Sequence, residues 1–326
     1  MSSSGSPTMR DVAVYAGVSP MTVSRTLRND PVVTEENRRK VHEAVAALGY
    51  RRNEAARSLR SGRAHDIIGL VVTNLANPFY SQLALGVEQF AAEHGQQVLI
   101  GNTADDVQRE RELLGDFAGR RIDGVVVVPA GNDHRHLRVA GLPVVMATAR
   151  PRRAQLDCVL VDDYTGSRQL TEELIAAGHR RIAFLGLPEP NWNGAERLRG
   201  FLDAMDAAGL AVPDRLVDHG LPEVAIAQRT TRELLDLPEP PTAIVAANNR
   251  NTMGAYRAIR HARTAIALAG FDDFEFADLL DQPLTVAAYD PTRLGAAAAE
   301  LLFDRVHGSA GKRRRTITIP VHLKHY

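Results

Sequence analysis

RDVAVYAGVSPMTVSRTLRND, residues 10–30, contains two short helix-like runs that are separated by a glycine, a serine and a proline. In the first run the apolar residues recur at helical spacing, which predicts one buried face: Val12, Ala13 and Ala16. We expect Thr8 to cap this helix and Asp11 to return a hydrogen bond to the cap. Gly17 can adopt the left-handed backbone conformation that ends a helix.

The second run begins where Ser19 can act as N-cap and Pro20 occupies the first helical position, whose amide would lack a partner anyway. Val23 and Leu27 are four residues apart and are expected to face inward. The remaining residues begin the helix or face outward: Pro20, Met21, Thr22, Ser24, Arg25 and Arg28. Two short helices joined by a tight turn predict a helix-turn-helix, whose second helix enters the major groove of DNA. The pattern alone leaves open an ordinary helical hairpin.

Three further features follow along the chain. Thr34 can cap a third helix, which has Val41, Val45 and Leu48 on one face and ends at Gly49. The basic segment YRRNEAARSLRSGR, residues 50–63, comes next, and a long region of α/β pattern follows it. This order favours the helix-turn-helix.

From residue 67 onward, short apolar runs alternate with amphipathic helical stretches: IIGLVV, QVLIG, GVVVV, LPVVMA, RIAFLG, TAIVAA and AIALAG. Such runs indicate parallel sheets that are covered by helices on both faces. They are too many for one compact sheet, so we predict two doubly wound lobes. Ligands of such sheets bind beyond the carboxyl ends of the strands, and two facing lobes therefore form a cleft. The predicted fold is an all-α headpiece followed by an α/β body.

Composition limits the function classes that fit. A chain of 326 residues with 44% hydrophobic residues can form more than one domain. The single cysteine, Cys158, excludes an internal disulfide framework and fits a reducing cytoplasm. No apolar run approaches the length of a membrane span, and MSSSGSPTMR lacks the apolar core of a signal peptide. We therefore expect a cytoplasmic protein without a membrane partner.

The formal net charge of zero conceals an uneven distribution of charge along the chain. Residues 1–62 contain ten Lys and Arg against six Asp and Glu, whereas the remainder contains 29 against 33. The basic excess therefore lies at the end that is predicted to contact phosphates.

At this point the sequence resembles one family over nearly its whole length. DVAVYAGVSPMTVSRTLRNDPVVTEENRRKVHEAVAALGY and NEAARSL are similar to the headpiece and hinge helix of the lactose-repressor (LacI/GalR) family of bacterial transcription regulators. The similarity continues through NPFY, GHRRIAFLG, ERLRGF, ANNRNTMGAYRAI, LAGFDDFEFADLL and LTVAAYDPTRLG.

The resemblance implies a domain organisation. It comprises a headpiece at residues 1–50, a hinge helix and linker at 51–64, and a body resembling periplasmic binding proteins at 65–326. Within the body, lobe 1 comprises about 65–161 and 291–320, and lobe 2 about 162–290 and 321–326.

The resemblance also implies two sets of DNA contacts. Those of the second helix lie in the major groove: Pro20, Met21, Thr22, Ser24, Arg25 and Arg28. Those of the hinge helix lie in the minor groove: Asn53, Ala56, Arg57 and Leu59. The resemblance further implies that the operator is pseudo-palindromic and that a homodimer binds it. We expect Arg25 to bind a guanine with two hydrogen bonds and Leu59 to wedge a base step. Relatives commonly have proline where this chain has Arg52, so we expect a looser entry to the hinge helix.

A small-molecule effector, a sugar or related metabolite, is implied for the cleft, with no other cofactor. The implied contacts lie at strand ends and helix starts: Phe79, Tyr80, Asn191, Asn193, Arg197, Leu221, Asn249 and Asp272. Alternatives remain for some of them. Phe79 could instead pack under its helix, Arg197 could be a surface residue, and Trp192 could cover the cleft or pack against the other lobe.

One position departs from the family pattern. The family usually has Asn-Asp after the strand TAIVAA, whereas this chain has Asn248 and Asn249. A carboxylate only accepts hydrogen bonds, whereas an Asn side chain both donates and accepts. The substitution therefore leaves both a sugar and a different ligand open.

Three functions use a body of this kind. A repressor has a helix-turn-helix, a solute-binding protein for transport has a signal peptide instead, and a doubly wound enzyme has a phosphate loop or an acid–base set. The sequence contains no G-x-x-x-x-G-K-[ST] loop, no G-x-S-x-G elbow and no His and Cys at metal-ligand spacing. We therefore predict an effector-controlled transcriptional regulator that is not an enzyme, with a solute-binding or sugar-sensing protein as the alternative.

Overall fold

The structure, a computed structural model, describes residues 7–27, 30–50, 66–138, 141–188, 191–311 and 313–326. The chain divides into two compact units, Met1–His65 and Asp66–Tyr326. The described ranges contain ten α-helices and twelve strands, which we number in chain order.

Three helices form the N-terminal unit: α1 (Met9–Ala16), α2 (Pro20–Thr26) and α3 (Glu35–Leu48). The expected capping box of α1 is confirmed, because Asp11 Oδ2 accepts from the Thr8 amide at 2.7 Å and Thr8 Oγ1 accepts from the Asp11 amide at 3.4 Å. Gly17 ends α1 with φ of 64°. Ser19 and Thr34 cap α2 and α3, as expected.

The core of this unit is small and almost entirely apolar. Val12, Val23 and Val41 are fully buried in it. Thr26 is equally buried, and its hydroxyl donates to the Thr22 carbonyl at 2.9 Å. Leu27, which the sequence placed inward, is only partly buried against the same core.

Six parallel strands form the first sheet of the body, in the order β11-β5-β4-β3-β1-β2. Their bounds are β1 (Ile67–Val72), β2 (Gln97–Asn102), β3 (Gly124–Val127), β4 (Val144–Ala147), β5 (Asp157–Val161) and β11 (Thr316–Ile319). Three helices pack against this sheet: α4 (Pro78–Glu93), α5 (Val107–Gly119) and α10 (Pro291–Val306). We call this assembly lobe 1.

Six further strands form the second sheet, in the order β12-β10-β9-β8-β6-β7. Their bounds are β6 (Ile182–Leu185), β7 (Val217–Asp218), β8 (Ala243–Ala246), β9 (Ala267–Phe271), β10 (Leu284–Ala288) and β12 (His322–His325). The helices of this lobe 2 are α6 (Asp163–Ala176), α7 (Trp192–Ala207), α8 (Val224–Leu235) and α9 (Asn249–Ala262). The expectation of a parallel sheet needs one correction, because β12 pairs antiparallel with β10.

The chain passes between the two lobes after β5, after β10 and between β11 and β12. Loops at the carboxyl ends of the parallel strands hold the polar side chains described below, where the doubly wound architecture predicts the ligand cleft. Among the helices of the described ranges, none has the length and apolar character needed to cross a membrane.

Two glycines allow α4 and α10 to approach each other at backbone distance. A Cβ atom at Gly86 would meet the carbonyl oxygen of Thr292, and one at Gly295 would meet the carbonyl oxygen of Leu83. Lobe 1 is therefore closed on one face by a helix pair that tolerates no side chain at these two positions.

Gly86→Ala is expected to lower the free energy of unfolding by about 1–3 kcal/mol, because the added methyl group overpacks the contact between the helices. Gly115 in α5 provides a matched control, since a Cβ there meets no atom within 4 Å. Gly115→Ala is expected to raise the free energy of unfolding by up to about 1 kcal/mol through helix propensity. Urea unfolding measures both, and equal stability of the two variants would contradict the close approach.

Candidate functional site

The exposed face of α2 has the side chains expected of a recognition helix. Met21 is 61% exposed. Ser19 Oγ accepts from the Thr22 amide at 3.1 Å and lies 2.9 Å from the Thr22 hydroxyl, so Thr22 is held at the start of the helix. Pro20, at the first helical position, is also exposed, whereas Ser24 is half-buried.

Arg25 lies on the same helix with an exposed side chain. Its Nε is 3.9 Å from Asp30 Oδ2, a long ion pair at the surface. Such pairs contribute about 1 kcal/mol at most, so the guanidinium can exchange this partner for a base or a phosphate. Arg28 and the hinge residues lie outside the described residues, and their contacts stay predictions: Asn53, Ala56, Arg57 and Leu59.

Lobe 1 has an aromatic pair and a buried amide at the start of α4, on the side of the predicted cleft. Asn77 Oδ1 accepts from the Phe79 amide at 3.1 Å and so caps α4. Phe79 and Tyr80 form an edge-to-face pair with ring centres 4.9 Å apart. The Thr73 hydroxyl donates to Tyr80 Oη at 2.6 Å, and burial raises the pKa of the Tyr80 phenol to about 12.

Arg197 is the centre of the lobe 2 side. It is 2% exposed, so the alternative of a surface arginine is wrong. Its Nε donates to Asp163 Oδ1 at 2.8 Å, and its Nη2 donates to Asp272 Oδ1 at 3.3 Å. Nη1 donates to the Ala247 carbonyl at 2.5 Å, and the guanidinium carbon lies 3.7 Å from the ring centre of Phe271. Side chains from two segments and a backbone carbonyl from a third thus surround one buried charge.

The electrostatics of this cluster follow from burial and from opposed charges. Burial acts against the charge of Arg197, but the carboxylates of Asp272 and Asp163 outweigh it and raise the pKa of the guanidinium. Burial raises the pKa of Asp163 to about 6, although Arg197 acts in the opposite direction. Tyr289 Oη donates to Asp272 Oδ1 at 2.9 Å, and its pKa is raised well above 10.0, first by burial.

Three buried oxygen atoms at the starts of α6 and α9 have no hydrogen-bond partner among the described residues. They are Asp163 Oδ2, Asn249 Oδ1 and Asn251 Oδ1. The orientation of the Asn251 amide is fixed, because its Nδ2 donates to the carbonyls of Leu185 and Gly186. All three atoms accept hydrogen bonds, and a buried acceptor without a donor costs about 1–3 kcal/mol. The cluster therefore favours a ligand that brings donors.

The structure places the remaining predicted residues in different positions. Asn249 Nδ2 donates to Asn77 Oδ1 at 2.9 Å, which joins the two lobes directly. Asp272 is buried with a left-handed backbone, φ 66°. Asn191 is exposed and caps α7, Asn193 is half-buried at its start, and Leu221 is 55% exposed.

Trp192 belongs to lobe 2 but packs against an apolar cluster of lobe 1 that includes Met146 and Ala149. The Arg150 guanidinium carbon lies 5.5 Å from the centre of the Trp192 ring. Of the two alternatives for Trp192, the structure therefore shows packing against the other lobe.

Sequence reasoning missed four residues of this site: Asn77, Asp163, Asn251 and Tyr289. For Asp163 a signal exists, because VDDYTG places two carboxylates directly after a run of apolar residues. No group of His, Cys, Asp and Glu able to hold a metal ion occurs among the described residues.

Comparison with known proteins identifies relatives of both units. Residues 65–325 match "Periplasmic binding proteins and sugar binding domain of LacI family", and residues 8–53 match "Bacterial regulatory proteins, lacI family". The ribose operon repressor of Escherichia coli (strain K12) is 33% identical over 322 residues, which cover 96% of this chain and 97% of that protein.

Two solved structures are similar over 98% of this chain and 98% of their own. One is the transcriptional regulator CelR in complex with cellobiose, with a TM-score of 0.74 and 31% identity. The other is the lac repressor dimer bound to operator and the anti-inducer ONPF, with a TM-score of 0.86 and 25% identity.

The raised pKa of Asp163 predicts that the free energies of unfolding of the protein and of its Asp163→Asn variant differ by an amount that depends on pH. A folded-state pKa of about 6, against 3.8 for the free side chain, means that the folded protein binds this proton more tightly. Stability from this group is therefore complete below pH 3.8 and is lost as the pH rises through 6. The asparagine, which stays neutral, avoids this loss.

We expect the free energy of unfolding of Asp163→Asn, relative to the unmodified protein, to rise by up to about 3 kcal/mol between pH 4 and pH 7.5. Urea unfolding of both proteins across this range measures the difference. A difference that is constant or falls with pH would contradict the raised pKa.

Proposed function

The chain belongs to the LacI family of bacterial regulatory proteins, and from this premise we propose the class of its effector and the residues that contact effector and DNA. It is a DNA-binding transcriptional regulator, and not an enzyme, with a helix-turn-helix headpiece and an effector-binding body of two α/β lobes. Its relatives include repressors, and we assign it the same role. A small molecule in the cleft controls whether the protein stays bound to its operator or dissociates from it.

We place the domain boundaries at residues 1–50, 51–64 and 65–326. Lobe 1 takes about 65–161 and 291–320, and lobe 2 takes about 162–290 and 321–326. The partition of β5 and β11 into one sheet, and of β10 and β12 into the other, supports these boundaries.

The effector is a neutral polyhydroxylated molecule, that is, an unphosphorylated sugar. One observation supports this most strongly: the buried guanidinium of Arg197 is already balanced by Asp163 and Asp272. At pH 7 these three groups together have a net negative charge. A phosphate would add about two negative charges beside the carboxylates, at low effective dielectric, where repulsion is strong.

Hydroxyl groups complement what the cleft presents. Each brings a donor for the acceptors of Asp163, Asn249 and Asn251, and an oxygen for the remaining Nη2 proton of Arg197. The aromatic rings of Phe79 and Tyr80 suit the apolar face of a pyranose or furanose ring. The proposed contacts are Phe79, Tyr80, Asn191, Asn193, Arg197, Leu221, Asn249 and Asp272.

The operator is bound by a homodimer, because one helix-turn-helix contacts too few base pairs for a specific site. Met21, Thr22 and Arg25 contact base edges in the major groove of each half-site. The paired hinge segments occupy the minor groove between the half-sites. The solved lac repressor relative is a dimer on its operator, which supports this arrangement.

D-ribose and cellobiose are expected to raise the melting temperature, whereas D-ribose 5-phosphate at the same concentration is expected to leave it unchanged. A ligand that binds only the folded state stabilises it by about 2.7 kcal/mol at a concentration of 100 times Kd. Ribose 5-phosphate adds the charged group and, because its O5 is esterified, closes only to the furanose ring, so this pair compares a phosphorylated sugar with its unphosphorylated parent. A larger shift with the phosphate than with either neutral sugar would overturn the proposed ligand class.

Arg25→Ala is expected to reduce the preference for the protein's own upstream DNA over random DNA by about 1–3 kcal/mol, which is the discrimination of one bidentate contact to a guanine. Arg39→Ala is the control, since Arg39 is an exposed arginine on α3 that pairs with Glu43 at 2.8 Å. It should weaken binding to both DNAs by the same factor. Gel-shift titrations at fixed salt give the two ratios. An unchanged ratio for Arg25→Ala would refute the base contact.

A further inference from the structure

The two lobes are joined by a hydrogen bond between two buried amide side chains. Asn249 Nδ2, at the start of α9 in lobe 2, donates to Asn77 Oδ1 of lobe 1 at 2.9 Å. Asn77 is 7% exposed and Asn249 is 6% exposed, so water does not compete freely for this bond. The bond therefore contributes directly to the closure of the cleft.

The direction of this hydrogen bond is fixed by its surroundings. Asn77 Oδ1 also accepts from the Phe79 amide at 3.1 Å, which orients the Asn77 side chain with its oxygen at the shared position. Asn249 must therefore present its Nδ2 to Asn77, because a second oxygen there would leave two acceptors facing each other. As a consequence, Asn249 Oδ1 is turned away and has no partner among the described residues.

Asn249 is also close in the chain to the charge cluster of the cleft. The carbonyl of Ala247, two residues earlier, accepts from Arg197 Nη1, and Asn248 Oδ1 accepts from the Asn251 amide at 2.8 Å. The backbone on both sides of Asn249 is thereby held, and the unpartnered Oδ1 stays beside the proposed ligand position.

We propose that Asn249 joins ligand selection to lobe closure in one side chain. Its Nδ2 ties lobe 2 to lobe 1 through Asn77, and its Oδ1 accepts a hydrogen bond from a ligand hydroxyl. The ligand half of this proposal rests on the proposed function. An aspartate at this position has no donor for Asn77. The closed arrangement is thus favoured before the ligand binds.

Trp192 provides a built-in signal of closure. It is the only tryptophan of the chain, it belongs to lobe 2, and it packs against an apolar cluster of lobe 1. Separation of the lobes exposes its ring to water. Quenching of its fluorescence by acrylamide therefore reports the lobe arrangement without any ligand.

The direction of the bond predicts that the same change from Asn to Asp opens the cleft at one end of the bond and leaves it closed at the other. Asn249→Asp removes the donor and sets a carboxylate against Asn77 Oδ1, and Asn249→Ala removes the donor without adding charge. Asn77→Asp keeps an acceptor for both the Phe79 amide and Asn249 Nδ2. We expect both Asn249 variants to shift the ratio of closed to open protein by about fivefold or more, the equivalent of one net hydrogen bond, whereas Asn77→Asp stays closed.

Acrylamide quenching of Trp192 in the three variants without ligand tests the closure half, with far-UV circular dichroism as the check of folding. Greater quenching in Asn249→Asp and Asn249→Ala, but not in Asn77→Asp, supports the proposal. Unchanged quenching in the Asn249 variants, or the same increase in all three, overturns it. If one Asn249 variant does not fold, the other gives the result.

Titration with D-ribose and cellobiose then tests the ligand half. Asn249→Ala is expected to bind the sugar that the unmodified protein prefers at least about tenfold more weakly. Gly115→Ala, in α5 where an added Cβ meets no atom within 4 Å, is the control that retains binding. Equal sugar affinity of Asn249→Ala and the unmodified protein overturns this half. If neither sugar binds the unmodified protein, the proposed ligand class is wrong, whereas the quenching result still decides the role of Asn249 in closure.

Discussion

The buried charge of Arg197 is the constraint on which lobe 2 and its side of the cleft depend. Asp163 at the start of α6, Asp272 after β9 and the Ala247 carbonyl after β8 all converge on this guanidinium from α7. Transfer of an ion from water to a protein interior costs several kcal/mol, and only a nearly complete set of partners offsets it. The connections around Arg197 are therefore held in one arrangement, and this wall of the cleft exists before a ligand binds.

The same cluster reaches the segment that crosses between the lobes. Tyr289, which follows β10, donates to Asp272, and its ring centre lies 6.3 Å from that of Phe79 in lobe 1. The next residues lead into α10, which packs against the lobe 1 sheet. A ligand that contacts Asp272 therefore acts on a crossover as well as on both walls, which gives it a physical route to bias the lobe arrangement.

Much of this organisation was predictable because it depends on local rules. The caps Thr8, Ser19 and Thr34 are set by residue type and spacing, and so are seven of the strands, whose apolar runs stand out. Asp157 begins β5 as a buried carboxylate bound to Arg305, and this polar start obscured that strand. The burial of Arg197 was not predictable, because its partners are 34 and 75 residues away and only the tertiary fold unites them.

The helix starts of the body lead to the same ligand chemistry as the charge cluster. A helix N-terminus attracts phosphate because its first amides lack partners and its dipole is positive there. Seven helices of the body begin after a strand. The exception among them is α8, which follows β7. In the other six an Asn or Asp side chain accepts from these amides: Asn77, Asp106, Asp162, Asn191, Asn248 and Asp290. Three of these caps are carboxylates, which repel an incoming anion. The buried arginine and these helix starts are thus already matched by oxygens of the chain itself, and a neutral hydroxyl, which can donate as well as accept, remains complementary to both.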